Sequence, residues 1–309
     1  MPACAGPSPE PLPSTTVLQL AASDGESLPA AHADPDQPPG PVPAPVALMH
    51  ERSLDSSIPS VARVYDCLLG GKDNYAADRE AARALEAAIP GAGRGARDNR
   101  AFLGRAVHYL AAEAGISQFL DIGTGLPTQG NVHEVARKVN PDARVAYVDN
   151  DENVVTHARA LLEKDSGVLA VEGDLRYPRE LMGRKEVRGF LDFSQPVAVL
   201  LVAVLHFLGD SEGPWQAASA ITSRIAPGSY VVISHVTGDD LAPQAVSRAR
   251  DIYAGALVQG TARRRSEIFR FFTGTDLIDP GLVDVAAWRS GREDAARPVL
   301  FWAGIGRKS

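Results

Sequence analysis

The stretch Phe119-Leu120-Asp121-Ile122-Gly123-Thr124-Gly125-Leu126-Pro127-Thr128 decides the fold. Two apolar residues run into a carboxylate, two glycines stand one residue apart, and a proline and a threonine then supply a helix start. That is the pattern of a strand entering a glycine turn. Open parallel sheets build ligand crevices in this way, at the carboxyl ends of their strands. Charge narrows the ligand. A dinucleotide pyrophosphate asks for a third glycine and no anion nearby, yet Thr128 occupies the third-glycine position and Asp121 precedes the turn. An acid at the mouth suits a cation. S-adenosylmethionine offers an ammonium, a sulfonium and ribose hydroxyls without phosphate, and the glycines would keep Cβ atoms clear of its methionyl part.

The run FLDIGTGLPTQGNVHEVA, with YDCLLGGKDNYAADRE before it and YVDND, LLVAVLHF and PGSYVVISH after it, resembles a family of S-adenosylmethionine-dependent methyltransferases once known only as a domain of unknown function. The resemblance spans roughly Ile58 to Lys308. It implies a class I, Rossmann-like enzyme using S-adenosyl-L-methionine, and it implies no substrate.

Strand-like runs follow the first one. Arg144 to Asp151 ends in acids, Gly167 to Glu172 leads into Gly173-Asp174-Leu175, and Val197 to Val204 is almost wholly apolar, as a central parallel strand covered on both faces should be. Tyr230 to His235, Leu282 to Trp288 and Pro298 to Gly304 complete the set. The expected fold is α/β: a Rossmann-like, seven-stranded, mostly parallel sheet with its last strand antiparallel, helices on both faces and an N-terminal helical cap.

In the resembled fold the carboxylate closing the second strand takes the ribose hydroxyls, which falls here on Asp149. It lies 26 residues beyond Gly123, against a usual spacing of about 20. Asp151 competes for the role, with helix N-capping as its structural alternative. Asp174 is placed to accept the adenine amine, beside the Leu175 N–H, unless it merely shapes a turn. The cofactor-binding set is then Asp121, Gly123, Thr124, Gly125, Thr128, Asp149, Asn150, Asp174 and Leu175, joined by Tyr65, Gly71 and Asn74 from the cap.

Those last three flank the loop Gly70-Gly71-Lys72-Asp73-Asn74-Tyr75. Its residues suit either a ligand approached by bare backbone or a glycine C-cap followed by an Asx-type helix start, and the resemblance favours the ligand. Helices are expected from Pro59, from Ala76 to Ala88, and from about Arg97 to Ala114.

Methyl transfer needs alignment above all, and a base where the acceptor carries a proton. His206, after the fourth strand, is the candidate catalytic residue, with a hydrogen-bonded wall histidine as the alternative. His235 is a weaker candidate, and His108, His133 and His157 fit surface or packing roles. The segment after strand four reads Leu205-His206-Phe207-Leu208 and lacks the Asn/Asp-Pro-Pro-aromatic tetrad of many amine and nucleic-acid methylators. A small-molecule acceptor, methylated at oxygen or nitrogen, is the expected partner. A non-catalytic cofactor sensor or partner subunit is the alternative, and a nucleotide-dependent dehydrogenase is disfavoured by Asp121 and Thr128.

Composition agrees. The chain has 309 residues, 45% of them hydrophobic, and a net charge of -7, which argues against a dedicated nucleic-acid binder. Its one compact basic run, Arg263-Arg264-Arg265, reads as a solvated helix start. The 2 cysteines, Cys4 and Cys67, make neither a disulfide framework nor a zinc site, and Cys67 reads as a small buried hydrophobe. No metal is expected. No run approaches the ~18 apolar residues of a membrane span and no secretory signal is evident, so the expected location is cytoplasmic. Residues 1–49, rich in Pro and Ala, read as a disordered tail; 50–309 read as the methyltransferase domain, with 50–116 as cap and 117–309 as core.

Overall fold

Five apolar runs pair as parallel strands because each is covered on both faces. They are β1 (Gln118–Ile122), β2 (Arg144–Asp149), β3 (Val168–Glu172), β4 (Ala198–Val202) and β5 (Tyr230–Val236), in the spatial order β3-β2-β1-β4-β5. The structure, a computed structural model, describes residues 55–127, 130–162, 166–256, 258–291 and 297–309. The expected tail, residues 1–49, lies outside these, as does Thr128. The strand order reverses at β1, which pairs with β2 on one side and β4 on the other. That reversal opens a crevice at the carboxyl ends.

Period-2 alternation divides the core. Phe119, Val145, Leu200 and Val232 face one layer with Phe102, Ala106 and Leu110 of a long helix. Leu120, Ile122, Val148, Leu201 and Ile233 face the other with Leu181, Ala218 and Ile221. On the connections lie α4 (Val132–Arg137), α5 (Glu152–Leu162), α6 (Pro178–Gly183), α7 (Lys185–Phe190), α8 (Pro214–Thr222), α9 (Pro243–Gly255) and α10 (Arg265–Phe269). None of the helices among the described residues is long and apolar enough to cross a membrane.

The sheet closes differently from the sequence reading. Among the described residues it has eight strands: two-residue β6 (Asp276–Leu277) and β7 (Val283–Asp284) both pair with β8 (Phe301–Arg307), which runs antiparallel to β5. The segment expected as a strand from Leu282 to Trp288 is mostly a turn, because Asp284 accepts the Ala286 N–H on Oδ1 and the Ala287 and Trp288 N–H groups on its carbonyl. The chain after Thr261 turns helical at Arg265 and becomes a 3-10 turn at Arg270–Phe272.

Among the described residues three helices precede the sheet: α1 (Val61–Leu69), α2 (Ala76–Ala88) and α3 (Ala92–Ala112). α3 starts earlier than Arg97 because Glu86 of α2 accepts the N–H groups of Gly91 and Gly93 at 2.7 and 2.8 Å, satisfying donors a helix start leaves open. A directional chain of hydrogen bonds fastens α1 and α3 to the sheet. The Ala203 N–H donates to Ser234 Oγ, Ser234 donates to Asn99 Oδ1, Asn99 Nδ2 donates to the Tyr65 hydroxyl and Tyr65 donates to the Ala96 carbonyl, over 3.0, 2.6, 2.9 and 3.1 Å.

Within the cap, Asp78 is fully buried and joins α1 to α2. Its Oδ2 takes Arg63 Nε at 2.8 Å and the Tyr75 N–H at 2.7 Å, while Oδ1 takes the Ser60 N–H at 2.9 Å. Removing one partner of a buried pair strands the other's charge. Asp78→Ala is therefore expected to lower stability by about 3–5 kcal/mol, seen as a lower urea midpoint; a change below 1 kcal/mol would show that water replaces the carboxylate.

Candidate active site

At the end of β1 the chain turns through Gly123 and Gly125, both left-handed with φ of 73° and 65°. The turn is held from β2: Gly123 N–H donates to Val148 O at 2.8 Å, and Gly125 N–H donates to Asp149 Oδ2 at 2.9 Å. The two glycines serve different ends. A Cβ on Gly123 would overlap the side chain of Val204, whereas nothing lies within 4 Å of a Cβ on Gly125. Of the two, only Gly125 faces open space; at Gly123 the group that a Cβ would meet is Val204.

Asp121, Asp149 and Asp174 lie at the carboxyl ends of adjacent strands β1, β2 and β3. Asp121 is 5% exposed and Asp149 is 8% exposed. Burial pushes the Asp121 carboxyl from an ordinary 3.8 up to about 6, the Thr124 hydroxyl and the Arg100 charge pull it back, and the negative charge of Asp149 adds to the rise. Burial likewise lifts Asp149 to about 6, against hydrogen bonds from the Asp151 and Gly125 N–H groups. Thr124 Oγ donates to Asp121 Oδ2 at 3.1 Å. Asp149 Oδ1 accepts the Asp151 N–H at 3.0 Å, leaving each Asp149 oxygen a further lone pair. Asp151 itself accepts the Asn153 N–H on Oδ1 at 2.9 Å, at the start of α5, and the Ser60 hydroxyl on Oδ2 at 3.3 Å. The start of α1 therefore touches the rim at β2. Asp174 is held by Arg176, whose Nε lies 2.9 Å from Oδ2 and 3.0 Å from Oδ1. Asn150 is exposed, and the Leu175 side chain is buried in the core.

Across β1, the chain leaves β4 through Ala203, a non-glycine residue at φ 56° whose N–H is shared between Ser234 O and Oγ. Strain of this kind persists only where surroundings impose it. Here the next residue, Val204, is the one that meets Gly123. His206 follows on the 3-10 turn Leu205–Phe207 and is 3% exposed. Its ring packs on Phe207, His235 and Phe301, with centroids 4.2, 5.5 and 6.3 Å away, and its Nδ1 is buried without a partner. Burial, then His235 and Arg263, hold its pKa well below the usual 6.5, so the imidazole is neutral at neutral pH.

Residues 47–309 match the S-adenosyl methyltransferase family. The chain belongs to this family. A crystal structure of a proposed methyltransferase from Thermobifida fusca YX is 45% identical, with a TM-score of 0.77 over 82% of this chain and 97% of that one. A DUF574 family protein from Streptomyces avermitilis MA-4680 is 37% identical, with a TM-score of 0.78 over 82% and 99%. No protein of curated function matches. The chain is an S-adenosylmethionine-dependent methyltransferase with a Rossmann-like fold. Its crevice fits the cofactor: a turn with room where the Gly125 Cβ would go, flanked by two buried acids.

The methyltransferase's cap loop has a structure of its own. Gly70, at φ 83°, is the C-cap of α1, and a Cβ on Gly71 would overlap the Asp66 carboxylate. Asn74 Nδ2 donates to Asp66 Oδ2 at 2.8 Å and to Gly71 O at 3.1 Å, while its Oδ1 accepts from Arg79. The glycine C-cap is Gly70 and the next helix starts at Tyr75, while Gly71 and Asn74 pack on and bond to the Asp66 carboxylate. Tyr65 is likewise engaged as donor and acceptor.

Two arginines carry information that the sequence reading missed. Arg263, read as solvated, is 2% exposed; it donates to Asp210 Oδ1, Leu205 O, Leu208 O and His235 Nε2, which ties β5 to the turns after β4. Arg100 lies in the polar run Arg97-Asp98-Asn99-Arg100 of α3, and its Nε is buried without a hydrogen-bond partner. Of the turn glycines, Gly125→Ala is expected to cost about 1–2 kcal/mol from left-handed strain alone. Gly123→Ala should cost at least about 1 kcal/mol more through overlap with Val204. Equal losses in urea unfolding would remove the distinction between them.

Proposed function

We propose that this methyltransferase binds its cofactor across Asp121, Asp149 and Asp174 and methylates oxygen or nitrogen of a small molecule held beside His206. The observation carrying the reading is the row of acids on three neighbouring strand ends, two of them buried, beside a turn with open space at Gly125. S-adenosylmethionine, when bound, supplies a methyl group already activated by the sulfonium.

The residues of the chain supply binding and alignment. Asp149, with a free lone pair on each oxygen, accepts the ribose hydroxyls; Asp174 accepts the adenine amine beside the Leu175 N–H, and Asn150 flanks them. Asp121, steadied by Thr124, provides negative charge near the methionyl end. Gly71 and Asn74 stay with the loop, and Tyr65 secures the cap above the crevice. On the acceptor side Phe207 packs edge-on against Tyr253 at 5.5 Å, and burial pushes the Tyr253 hydroxyl up to about 12. This aromatic wall favours a compact, uncharged acceptor. His206, neutral with Nδ1 unpartnered, is suited to hydrogen-bond the acceptor atom; its low pKa makes it a weak base, so orientation outweighs proton removal.

Incubation with methyl-labelled cofactor and cell extract tests this: label should enter a low-molecular-weight product, and label confined to nucleic acid or protein would reject the proposal. His206→Ala should lower turnover more than cofactor affinity, whereas equal losses would make it a wall residue.

Charge sets the pH dependence. Below about 6 the native Asp121 and Asp149 carboxyls are protonated and offer little to a cation. Affinity for S-adenosylmethionine is therefore expected to rise between pH 5 and 7, and Asp149→Ala to weaken binding by about 1.5–3 kcal/mol at pH 7.5. Unliganded stability runs the other way. The folded state keeps protons that the unfolded chain has lost between 3.8 and about 6, so these two groups make stability fall as pH rises through that window. Calorimetric titration across the range checks the affinity, and a flat profile would exclude both acids from the site.

A further inference from the structure

The turn that carries His206 is held from outside by one side chain. An arginine guanidinium has five N–H groups, and each of those on Arg263 meets an acceptor. Nε donates to Asp210 Oδ1 at 3.2 Å, Nη1 to Leu205 O at 3.2 Å and His235 Nε2 at 2.9 Å, and Nη2 to Leu208 O at 2.8 Å and Asp210 Oδ1 at 2.7 Å. Leu205 precedes His206 and Leu208 lies beyond it, so both ends of the turn are fastened to the same planar group. Thr261, on the approach to Arg263, adds a third hold through its N–H, which donates to His206 O at 2.8 Å. Trp215 and Phe271 flank the guanidinium, with ring centroids 5.0 and 5.8 Å from its carbon.

The bond to His235 also fixes where that ring carries its proton. A guanidinium donates and never accepts, so His235 Nε2 offers a lone pair and the ring proton sits on Nδ1, 2.7 Å from Val236 O. Both nitrogens are thereby spent. His235 stacks on Phe271 and meets the His206 ring edge-on, each with centroids 5.5 Å apart. It can pass His206 neither a proton nor a lone pair. Catalytic histidines are commonly aimed by a carboxylate bonded to the second ring nitrogen, yet His206 Nδ1 is buried without a partner. The direction of this ring is set by the backbone of its turn and by the rings around it, and Arg263 governs both.

We infer that Arg263 is a positioning residue for methyl transfer: it aims His206 at the acceptor by clamping both ends of the turn and by locking His235 as a neutral wall. The inference rests on the proposed acceptor site beside His206. Arg263 touches no reactant in this scheme and acts through His206 alone.

The test joins a spectrum to a pair of variants, all in the full chain. The histidine-ring nitrogen NMR spectrum of wild type should show His235 protonated on Nδ1 at neutral pH; protonation on Nε2 would overturn the inference without any variant. Arg263→Lys keeps the charge but gathers its N–H groups on one atom, which cannot span Leu205 O, Leu208 O and His235 Nε2 together. With methyl-labelled cofactor and cell extract it should slow transfer about 10–100-fold, the scale of a misplaced reacting group, and leave affinity for S-adenosylhomocysteine in calorimetric titration unchanged. Residues that act through one another are not additive, so the double variant with His206→Ala should be no slower than His206→Ala alone. Arg263→Gln carries the same comparison if the lysine variant does not fold. Losses that multiply, or equal losses of transfer and of cofactor affinity, would overturn the positioning role and leave Arg263 as a clamp of the fold. Wild type that transfers no label to a small molecule would overturn the acceptor site itself and this inference with it.

Discussion

The hydrogen-bond chain from Ala203 through Ser234, Asn99 and Tyr65 to Ala96 is the constraint on which the site depends. Beside it, the helical cap meets the sheet through apolar contacts, which tolerate sliding, and through polar contacts such as that of Ser60 on Asp151. With it, the polarity of the hydrogen bonds runs one way, from the end of β4 to the start of α3. Buried polar networks of this kind specify geometry because leaving any member unmatched is costly. The residues it fixes are the strained Ala203, the end of β5 and the face of α3 that carries Asn99.

Both buried carboxyls carry raised pKa values, chiefly through burial, with the charge of Asp149 adding to the rise at Asp121 and that of Asp151 to the rise at Asp149. The fold accepts the cost because Asp149 also holds the glycine turn through Gly125 N–H. A single carboxylate thus shapes the turn after β1 and the chain after β2. The left-handed Ala203 contributes from the other side by setting Val204 against Gly123, which forms the floor between β1 and β4.

Much of this was legible in the sequence because it is local. A strand, two glycines and an acid at the next strand end fix a parallel crevice, and the longer spacing to Asp149 did not displace it, since the residue still closes β2 and reaches the turn. The C-terminal hairpin was less legible. Leu282, Val285 and Trp288 are buried at a period of three, which marks a turn, but the apolar content of the segment resembled a strand. The fate of Arg263 and Arg100 was hidden for a different reason. Whether an arginine is solvated, buried against carbonyls or left open depends on elements distant in sequence, and charge counting does not see those.

Asn99 and Ser234 are 135 residues apart along the chain. The cap is made first at the ribosome, yet its anchoring partner emerges only with β5. Until then Asn99 and Tyr65 meet water, and nothing aligns α3 with the strand ends. Long-range contacts of this sort form late in folding. A nascent chain that has completed the glycine turn and β2 therefore owns the acids of the crevice without its roof, and ligand capture has to wait for more than half of the remaining polypeptide.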